Sequence, residues 1–367
     1  MKNVNGIFLI LLLSVVLTVD AQVSTDSTVY KTKITPLPNI GYSPDTRLVL
    51  GAFMLAQFKP KKSDLETRPS NLMASAAFTF EKQTSIETYY NIVFPKEKWL
   101  WNGAVYFQRW PIRYWGVGPN TKDDDEITID YRNIAFEQSL YRNINNGFYI
   151  GPKVHFRSMY DINLKNVDDG KPLDISDIPG GEGGTNIGIG FGGTWDKRNS
   201  ILTPTENHFV EFSALFYAKN WLSDFSFQTY TLDVRKYFDF DTHGKRVLAF
   251  QFFSKLNIGE VPFQDMSLLG GNKIMRGYME GRFRDKVGLQ IQTEYRQFIK
   301  GRFGMVLFAA TGNIAPKLGD ITFSQAKWTL GTGLRYNINK ADSTFIRVDF
   351  GFGKDTSGFY LTLGEAF

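Results

Sequence analysis

Arg276 lies in the stretch of the sequence that is best suited to a specific interaction. The stretch reads LLGGNKIMRGYME, and the pair Gly270 and Gly271 gives it a backbone that can turn sharply. Gly277 and Tyr278 follow the arginine directly. A guanidinium donates five N–H groups in a planar fork, and a carboxylate is the acceptor that matches this fork best. We therefore expect Arg276 to be a loop residue that binds a carboxylate.

The strand-like run after this loop supplies such a carboxylate in Glu294. Residues 286–299 read KVGLQIQTEYRQFI and alternate between apolar and polar side chains. A period of two is the pattern of a β-strand whose two faces meet different surroundings. The sequence thus predicts an ion pair between the loop arginine and the polar face of the next strand. The apolar face carries Val287, Leu289, Ile291 and Tyr295, and the polar face carries Gly288, Gln290, Gln292, Glu294 and Arg296.

The composition favours an all-β protein and excludes several kinds of site. Aromatic residues make up 15% of the 367 residues, and Phe alone occurs 32 times. The sequence contains no Cys, which excludes disulfides, thiolate metal sites and a cysteine nucleophile. The formal charge is only +5 and no dense run of Lys and Arg occurs, so a nucleic-acid partner is not expected.

The first 21 residues are predicted to be a secretory signal peptide. Lys2 precedes an apolar run over residues 7–19, and the small Ala21 offers a cleavage site. The apolar run is too short for a membrane-spanning helix. Residues 22–29 are predicted to form a short periplasmic segment, and residues 30–367 are predicted to form one domain.

That domain is predicted to contain sixteen antiparallel strands. Short turns at one rim and long loops at the other are typical of an outer-membrane barrel, and a sheet in hydrocarbon must close to pair its backbone. We therefore predict a single 16-stranded transmembrane β-barrel in the outer membrane of a Gram-negative bacterium, in contact with its lipids. Pro36 and Pro38 in the first strand predict a weak seam with the last strand. The predicted short turns are 145–147, 241–244, 300–301 and 339–342, and the long loops are 111–125, 161–183 and 258–285.

The last strand is predicted to be amphipathic. Its outward face would carry Phe359, Leu361, Leu363 and Phe367. An aromatic residue at the end of such a strand is the usual mark of a barrel that the outer-membrane assembly machinery inserts. We expect Phe367 to be this assembly signal, which makes the assembly machinery a partner during biogenesis.

Four stretches carry a family resemblance. They are 269–271 with 276–278, 195–199 (WDKRN) with Pro204, Glu294 within TEYR, and the final run GFYLTLGEAF. With these stretches the sequence resembles the bacterial surface antigen family, within the superfamily of BamA-type assembly barrels and two-partner-secretion transporters. The resemblance implies that the sixth extracellular loop folds into the lumen, where its arginine contacts carboxylates of the barrel wall. Arg276 and Glu294 would be that arginine and its partner.

The sequence departs from this family in two respects. The family places a second carboxylate on the thirteenth strand, where this sequence has Ala310. Arg276 is therefore expected to contact Glu294 alone, or Asp349 if the loop reaches that far. Asp349, a possible secondary carboxylate of the lumen, is expected to line the wall and not to hold the loop. In addition, no POTRA domain fits between the signal peptide and the barrel, so the barrel-only members of the family are the better comparison.

Three functional hypotheses follow from these features. The first is a role in outer-membrane transport or biogenesis, together with a periplasmic or lipoprotein partner. The second is a passive pore for ions or small solutes that the loop around Arg276 plugs. The third is a structural surface component of an outer-membrane complex. No cofactor is expected. No enzymatic activity is expected either, because a Ser/His catalytic site needs both side chains on one face of the wall. His155 and Ser158 lie three residues apart and face opposite sides of one strand.

Two other motifs have simpler explanations than a ligand site. The glycine-rich residues 188–193 lie within a predicted strand and no helix follows, which indicates thin packing and not a nucleotide loop. The acidic residues 123–126 could supply oxygen ligands to Ca²⁺. A solvated loop accounts for them equally well, and no metal site is predicted.

Overall fold

The computed structural model describes residues 30–64, 66–167, 173–201, 203–241, 244–339 and 344–367. The predicted signal peptide (residues 1–21) and periplasmic segment (residues 22–29) lie outside these residues. Among the described residues, no helix is long and apolar enough to cross a membrane. The regular structure of this part of the chain consists of β-strands and single 3₁₀ turns.

Sixteen strands in the described part of the chain form one antiparallel sheet, as the sequence predicted. The fifth strand is continued by Ile112–Tyr114 after an interruption at Pro111, and both pieces pair with the sixth strand. In chain order the strands are β1 (Lys33–Ser43), β2 (Arg47–Phe58), β3 (Ser70–Thr79), β4 (Thr84–Val93), β5 (Trp99–Arg109), β6 (Ile127–Asn145), β7 (Phe148–Lys165), β8 (Gly184–Asp196), β9 (Asn207–Tyr217), β10 (Phe227–Asp239), β11 (Arg246–Gly259), β12 (Val287–Lys300), β13 (Phe303–Ala315), β14 (Lys327–Asn339), β15 (Thr344–Gly353) and β16 (Thr356–Leu363).

The sheet closes into a barrel. Each strand pairs with the next one along the chain, and β1 pairs with β16. The closing contact is short, with Tyr42 opposite Leu361, whereas β1 pairs with β2 along its whole length. Pro36 and Pro38 lie in β1 and have no N–H to donate across the seam. The seam between the first and last strands is therefore the least extensive pairing in the wall.

Side chains alternate between the two faces of the wall. On β12, Ile291 is 50% exposed, whereas its neighbour Gln292 is 2% exposed and Glu294 is 0% exposed. On β15, Phe350 and Phe352 are exposed while Asp349 between Val348 and Phe350 is buried. Large apolar side chains thus face outward toward lipid and polar side chains face the interior, which is the arrangement of a membrane barrel.

The connections differ at the two ends of the barrel. At one end they are tight, as at Asn146 and Gly147, where both residues adopt positive φ angles (47° and 73°) between β6 and β7. At the other end they are long and pack together. The longest connection, residues 260–286 between β11 and β12, forms its own hairpin from Ser267–Leu269 and Phe283–Asp285. Apolar side chains from three connections and from the ends of the neighbouring strands form a buried cluster there. Its members are Tyr114, Ile127, Ile129, Met159, Ile178 and Phe263.

Candidate functional site

Arg276 lies in the connection 260–286, which we call the Arg276 loop. Its guanidinium contacts two carboxylates on the buried face of the barrel wall. Nη2 donates a hydrogen bond to Oε1 of Glu294 on β12, and Nη1 donates one to Oδ2 of Asp349 on β15 at 2.5 Å. The side chains of all three residues are 0% exposed. A planar fork with two donors on two separate acids fixes both the position and the orientation of the arginine.

An aromatic ring supports the same guanidinium from one side. The central carbon of Arg276 lies 3.6 Å from the centre of the Phe308 ring on β13. This is a cation–π contact, which strengthens where water is excluded. The ring needs space beside the wall, because a Cβ on Gly331 would lie 2.1 Å from it. Phe308 and Gly331 are therefore part of the site, and sequence patterns alone did not identify them.

The backbone next to Arg276 also binds the wall. The N–H of Gly277 donates to the Tyr360 hydroxyl at 2.8 Å, and the Thr356 hydroxyl donates to the Gly277 carbonyl at 3.0 Å. Gly277 has a φ of +119°, which favours glycine. Tyr278 is buried, and its hydroxyl accepts from the N–H of Lys354 at 3.0 Å. Arg276, Gly277 and Tyr278 thus all contact β15, β16 or the turn between these two strands.

Gly270 and Gly271 form the turn that the sequence predicted for this loop. Their φ angles are +100° and +123°, and a Cβ on Gly270 would lie 1.9 Å from the carbonyl oxygen of Met279. The N–H of Gly271 donates to the carbonyl of Tyr278 at 3.0 Å, which ties the two ends of the motif together. A side chain at Gly270 would separate these two ends, so the turn needs a glycine there.

Asp349 is a partner of Arg276, which was the alternative to the lining role that the sequence favoured. Asp349 binds Arg276 directly, accepts from Nη1 of Arg335 at 2.6 Å and lies 3.6 Å from Nε of Arg347. The loop can reach β15 because Gly351 has no side chain: a Cβ there would lie 2.5 Å from the Arg276 carbonyl oxygen. Ala310 on β13 leaves no gap in the ion pairing, since Asp349 provides the second carboxylate.

The ion pairs continue from Arg276 to the end of the described chain. Arg296 donates to Oε2 of Glu294 at 2.9 Å and to the backbone oxygen of Phe367 at 2.9 Å. Arg335 donates to Oε2 of Glu365 at 2.8 Å. We call this group the arginine network; its members are Arg276, Arg296, Arg335, Arg347, Glu294, Asp349 and Glu365, all with side chains at most 4% exposed.

The expected outward position of Phe367 was wrong. β16 ends at Leu363, and Gly364 adopts a φ of +79°, which turns residues 364–367 (the tail) to the buried side of the wall. Phe367 is 4% exposed and packs with Tyr237, Val247 and Ala249. A glycine directly after the last apolar strand residue was the available signal for this turn. The prediction continued the alternation of β16 past Gly364 and therefore missed it.

A model of the Omp85 superfamily domain matches residues 68–367. The chain belongs to the Omp85 superfamily. This confirms the resemblance seen in the sequence at the level of the superfamily. Membership and the closed 16-stranded barrel place the protein in the outer membrane of a Gram-negative bacterium. A comparison with curated protein sequences gave no match.

Solved structures of Omp85 barrels share the fold. BamA from Haemophilus ducreyi lacking POTRA domains 1–3 superposes with a TM-score of 0.59 at 12% identity, over 90% of this chain and 70% of that one. CdiB from Acinetobacter baumannii gives 0.55 at 12% identity, over 92% of this chain and 66% of that one. CdiB from Escherichia coli gives 0.55 at 10% identity, over 90% and 62%. This Omp85 chain therefore spans about two thirds of the length of these neighbours.

Outside the membrane-spanning strands, the Arg276 loop of this Omp85 barrel contacts the turn between β1 and β2. The N–H of Glu280 donates to Oδ1 of Asp45 at 2.7 Å. Burial beneath the loop, together with the nearby charge of Glu280, raises the pKa of Asp45 from 3.8 to about 7. The contact thus links the loop to the strand that borders the seam, through a group that titrates near neutral pH.

The remaining candidates from the sequence have structural partners. Asp123 accepts from Nη2 of Arg282 at 2.6 Å, so this acid anchors the Arg276 loop from outside. His155 and Tyr217 share a hydrogen bond of 2.8 Å, while Ser158 pairs with the Thr185 hydroxyl at 3.0 Å. Gly188 faces the Tyr217 ring, which agrees with a packing role for the glycine-rich run. Within the described ranges, no group of three His, Cys, Asp or Glu side chains could hold a metal ion.

Proposed function

We propose that this Omp85 barrel acts in outer-membrane transport or biogenesis, and that its Arg276 loop docks in the lumen at one defined position. The observation that carries the proposal is the arginine network, because it joins the loop to the buried face of three strands, β12, β14 and β15, and to the tail. A buried arginine with one missing partner would be strongly unfavourable. The sequence therefore specifies one docked position for the loop.

The arginine network is proposed to position the loop and not to hold the barrel together. Sixteen strands pair their backbones around the wall. A charge-assisted hydrogen bond contributes only about 1.5–3 kcal/mol, which is small beside that total. The docked loop can therefore open or close while the wall remains folded, and this is the property that a transport barrel needs.

We further propose that the protein works with a periplasmic or lipoprotein partner. The buried tail lies at the end of the barrel that carries the short turns, since β16 runs toward that end. A partner that binds there would lie next to the tail, whose buried Glu365 and Phe367 are connected to Arg276 through Arg335, Arg296 and their acids. No enzymatic activity and no cofactor form part of this proposal.

A passive pore is the second candidate, and one observation favours it. The interior opposite the Arg276 loop carries charged side chains that keep contact with solvent, such as Glu137 on β6, which is 38% exposed, and its partner Lys153 on β7. Charged, solvated lining residues are typical of a water-filled channel. A barrel that conducts on its own would use this path.

Planar-bilayer recording tests whether the loop occludes the barrel, and purification from the native membrane separates the two candidates. Wild-type barrel, Arg276→Gln and a variant without residues 262–284 are reconstituted alone. A closed wild type with openings in both variants supports a loop that occludes a water path. Wild-type currents equal to those of both variants would contradict a loop docked in the lumen. Affinity purification from the native membrane then tests the partner: a stoichiometric companion supports transport or biogenesis, and repeated recovery of the barrel alone favours the passive pore.

A further inference from the structure

The outer wall of the barrel carries a depression of about 660 Å³ over strands β2 to β7. Residues in one cross-strand row form its centre, and directly opposed residues of a sheet lie on the same face. Small side chains form the floor of the depression and large ones form its sides. The floor includes Ala52, Ala76 and Thr84, and the sides include Phe78, Ile86 and Phe107.

The next row toward the long-loop end contains two cations. Arg109 on β5 lies directly opposite Arg132 on β6, and Phe78, Thr84 and Tyr160 belong to the same row. The two arginine side chains are 47% and 55% exposed and point away from the barrel interior. Like charges directly opposite each other destabilise a sheet. A ligand with negative charge would relieve this repulsion.

Acidic side chains hold these cations in place without neutralising the group. Asp130, which is 7% exposed, accepts from Nη2 of Arg109 at 2.8 Å and also pairs with Lys165. Asp161 lies 3.0 Å from Nε of Arg132. The three cations of this group (Arg109, Arg132 and Lys165) and its two carboxylates (Asp130 and Asp161) leave it with a net charge of +1. The group therefore presents fixed donors with a surplus positive charge above an apolar depression.

The position of the depression identifies the leaflet. Arg109 ends β5 at the rim where the Arg276 loop and the other long connections lie. In an outer-membrane barrel the long loops are on the cell surface, so this rim meets the outer leaflet. Phosphates bind arginine forks, and acyl chains fill apolar grooves.

We propose that this depression binds a phosphorylated, multiply acylated lipid of the outer leaflet. The acyl chains lie on Ala52, Ala76 and Thr84, and the phosphate accepts hydrogen bonds from Arg109 and Arg132. A second depression on the wall provides a comparison. It is about 440 Å³ in volume, includes Ala309, Trp328 and Leu330, and has no charged residue in its lining. It offers acyl chains a surface but offers a phosphate no cationic donor.

Native mass spectrometry of the full-length barrel tests the proposal, with added hexa-acylated lipid A as the probe. The phosphorylated form should remain bound to wild type, and the dephosphorylated form should bind more weakly. The double variant Arg109→Gln/Arg132→Gln should weaken binding by about a hundredfold, because it removes two charge-assisted bonds that are each worth about tenfold. Arg142→Gln is the matched control, since Arg142 lies on the same strand β6 near the short-turn end. It should bind like wild type.

A second pair of variants tests the apolar part without changing charge. Ala76→Phe fills the floor of the depression and should reduce binding of the phosphorylated lipid. Ala309→Phe fills the second depression and should leave that binding unchanged. Both positions face lipid, so neither variant disturbs the interior. Equal binding by wild type and the double arginine variant, or equal effects of the two phenylalanine variants, would overturn the proposal.

Discussion

Arg276 and Asp349 are 73 positions apart in the sequence, yet Nη1 of the arginine lies 2.5 Å from Oδ2 of the aspartate. The second terminal nitrogen of the same guanidinium contacts Glu294. One side chain therefore connects β12 with β15, and Phe308 on the intervening β13 lies beneath it. The side chain holds the loop against three strands at once, β12, β13 and β15. It makes a single arginine decisive for where the loop lies.

Replacement of Arg276 by glutamine is expected to release the loop. Removing one partner of a buried ion pair costs about 3–5 kcal/mol, because the remaining charges stay buried. The sequence has no Cys, so Met275→Cys introduces a single thiol at a position that is 0% exposed. Labelling of this thiol should become at least about a hundredfold faster with Arg276→Gln. The barrel itself should stay folded, as judged by its heat-modifiable migration in gels.

Glu260→Gln is the control for that experiment, since Glu260 lies in the same loop. Glu260 is 66% exposed and its partner Lys219 is 55% exposed, and exposed pairs contribute little. Labelling should change by less than about fivefold. Slow labelling with Arg276→Gln would mean that the rest of the loop, including the contacts of Gly277 and Tyr278, docks without the arginine.

Asp349→Asn is expected to loosen the loop more than Glu294→Gln does. Asp349 is close to three arginines, namely Arg276, Arg335 and Arg347. Glu294 pairs with two, Arg276 and Arg296. Neutralising Asp349 thus leaves more uncompensated positive charge in the buried site. The thiol-labelling rate of Met275→Cys measures both variants, and the larger effect for Glu294→Gln would contradict this order.

The fold could be predicted from the sequence because the alternation of side chains within each strand indicates which face is buried. The alternation of residues 286–299 needs no long-range information, and the burial of Gln292 and Glu294 against the exposure of Ile291 confirms it. Strand-like segments separated by turn residues led to the count of sixteen strands, and the connection lengths indicated the two ends of the barrel. Within β12 to β15 the pattern of small and large residues also agreed with the observed faces.

Parts of the site could not be predicted because they depend on how closely the Arg276 loop approaches each strand of the wall. Whether Arg276 reaches Asp349 is decided by Gly351, whose missing side chain lets the loop approach β15. A sequence pattern assigns Asp349 to a face but does not say what lies opposite. The prediction that Phe367 faces outward failed for a local reason, because the positive φ of Gly364 ends the alternation of β16.

Docking of the loop is expected to weaken as the pH rises. Burial, together with the nearby charge of the Glu280 carboxylate, raises the pKa of Asp45 from 3.8 to about 7 in the docked state. A raised pKa means that the docked state binds the proton more tightly than the open state. Docking therefore has its full advantage below about pH 4 and loses it as the pH rises through about 7. A pH-insensitive fluorophore attached at Lys273→Cys should report a more open loop at pH 8 than at pH 5.

Asp45→Asn should remove this pH dependence while keeping the acceptor oxygen for the Glu280 N–H. Asp123→Asn serves as its control, because Asp123 is an exposed loop acid that contacts Arg282 at 2.6 Å. That variant should keep the pH response of wild type. An unchanged response in Asp45→Asn would assign the effect to another group.

The tail and the Arg276 loop are expected to be energetically coupled. Arg276 and Glu365 do not touch, but Asp349 and Arg335 join them through contacts of 2.5, 2.6 and 2.8 Å. Glu365→Gln should leave Arg335 free to reorient and so weaken its hold on Asp349. Groups within one ion-pair network show coupling of about 0.5–3 kcal/mol, whereas independent sites are additive.

A double-mutant cycle measures this coupling through labelling of Met275→Cys. Glu365→Gln should accelerate labelling when Arg276 is present and should have little effect in the Arg276→Gln background, where the loop is already released. Glu97→Gln is the control, because Glu97 lies in the turn between β4 and β5 and pairs with Arg68, outside the arginine network. It should change labelling in neither background. Additive effects of Glu365→Gln and Arg276→Gln would show that the tail and the loop dock independently, and a partner at the tail could then not act on the loop through this network.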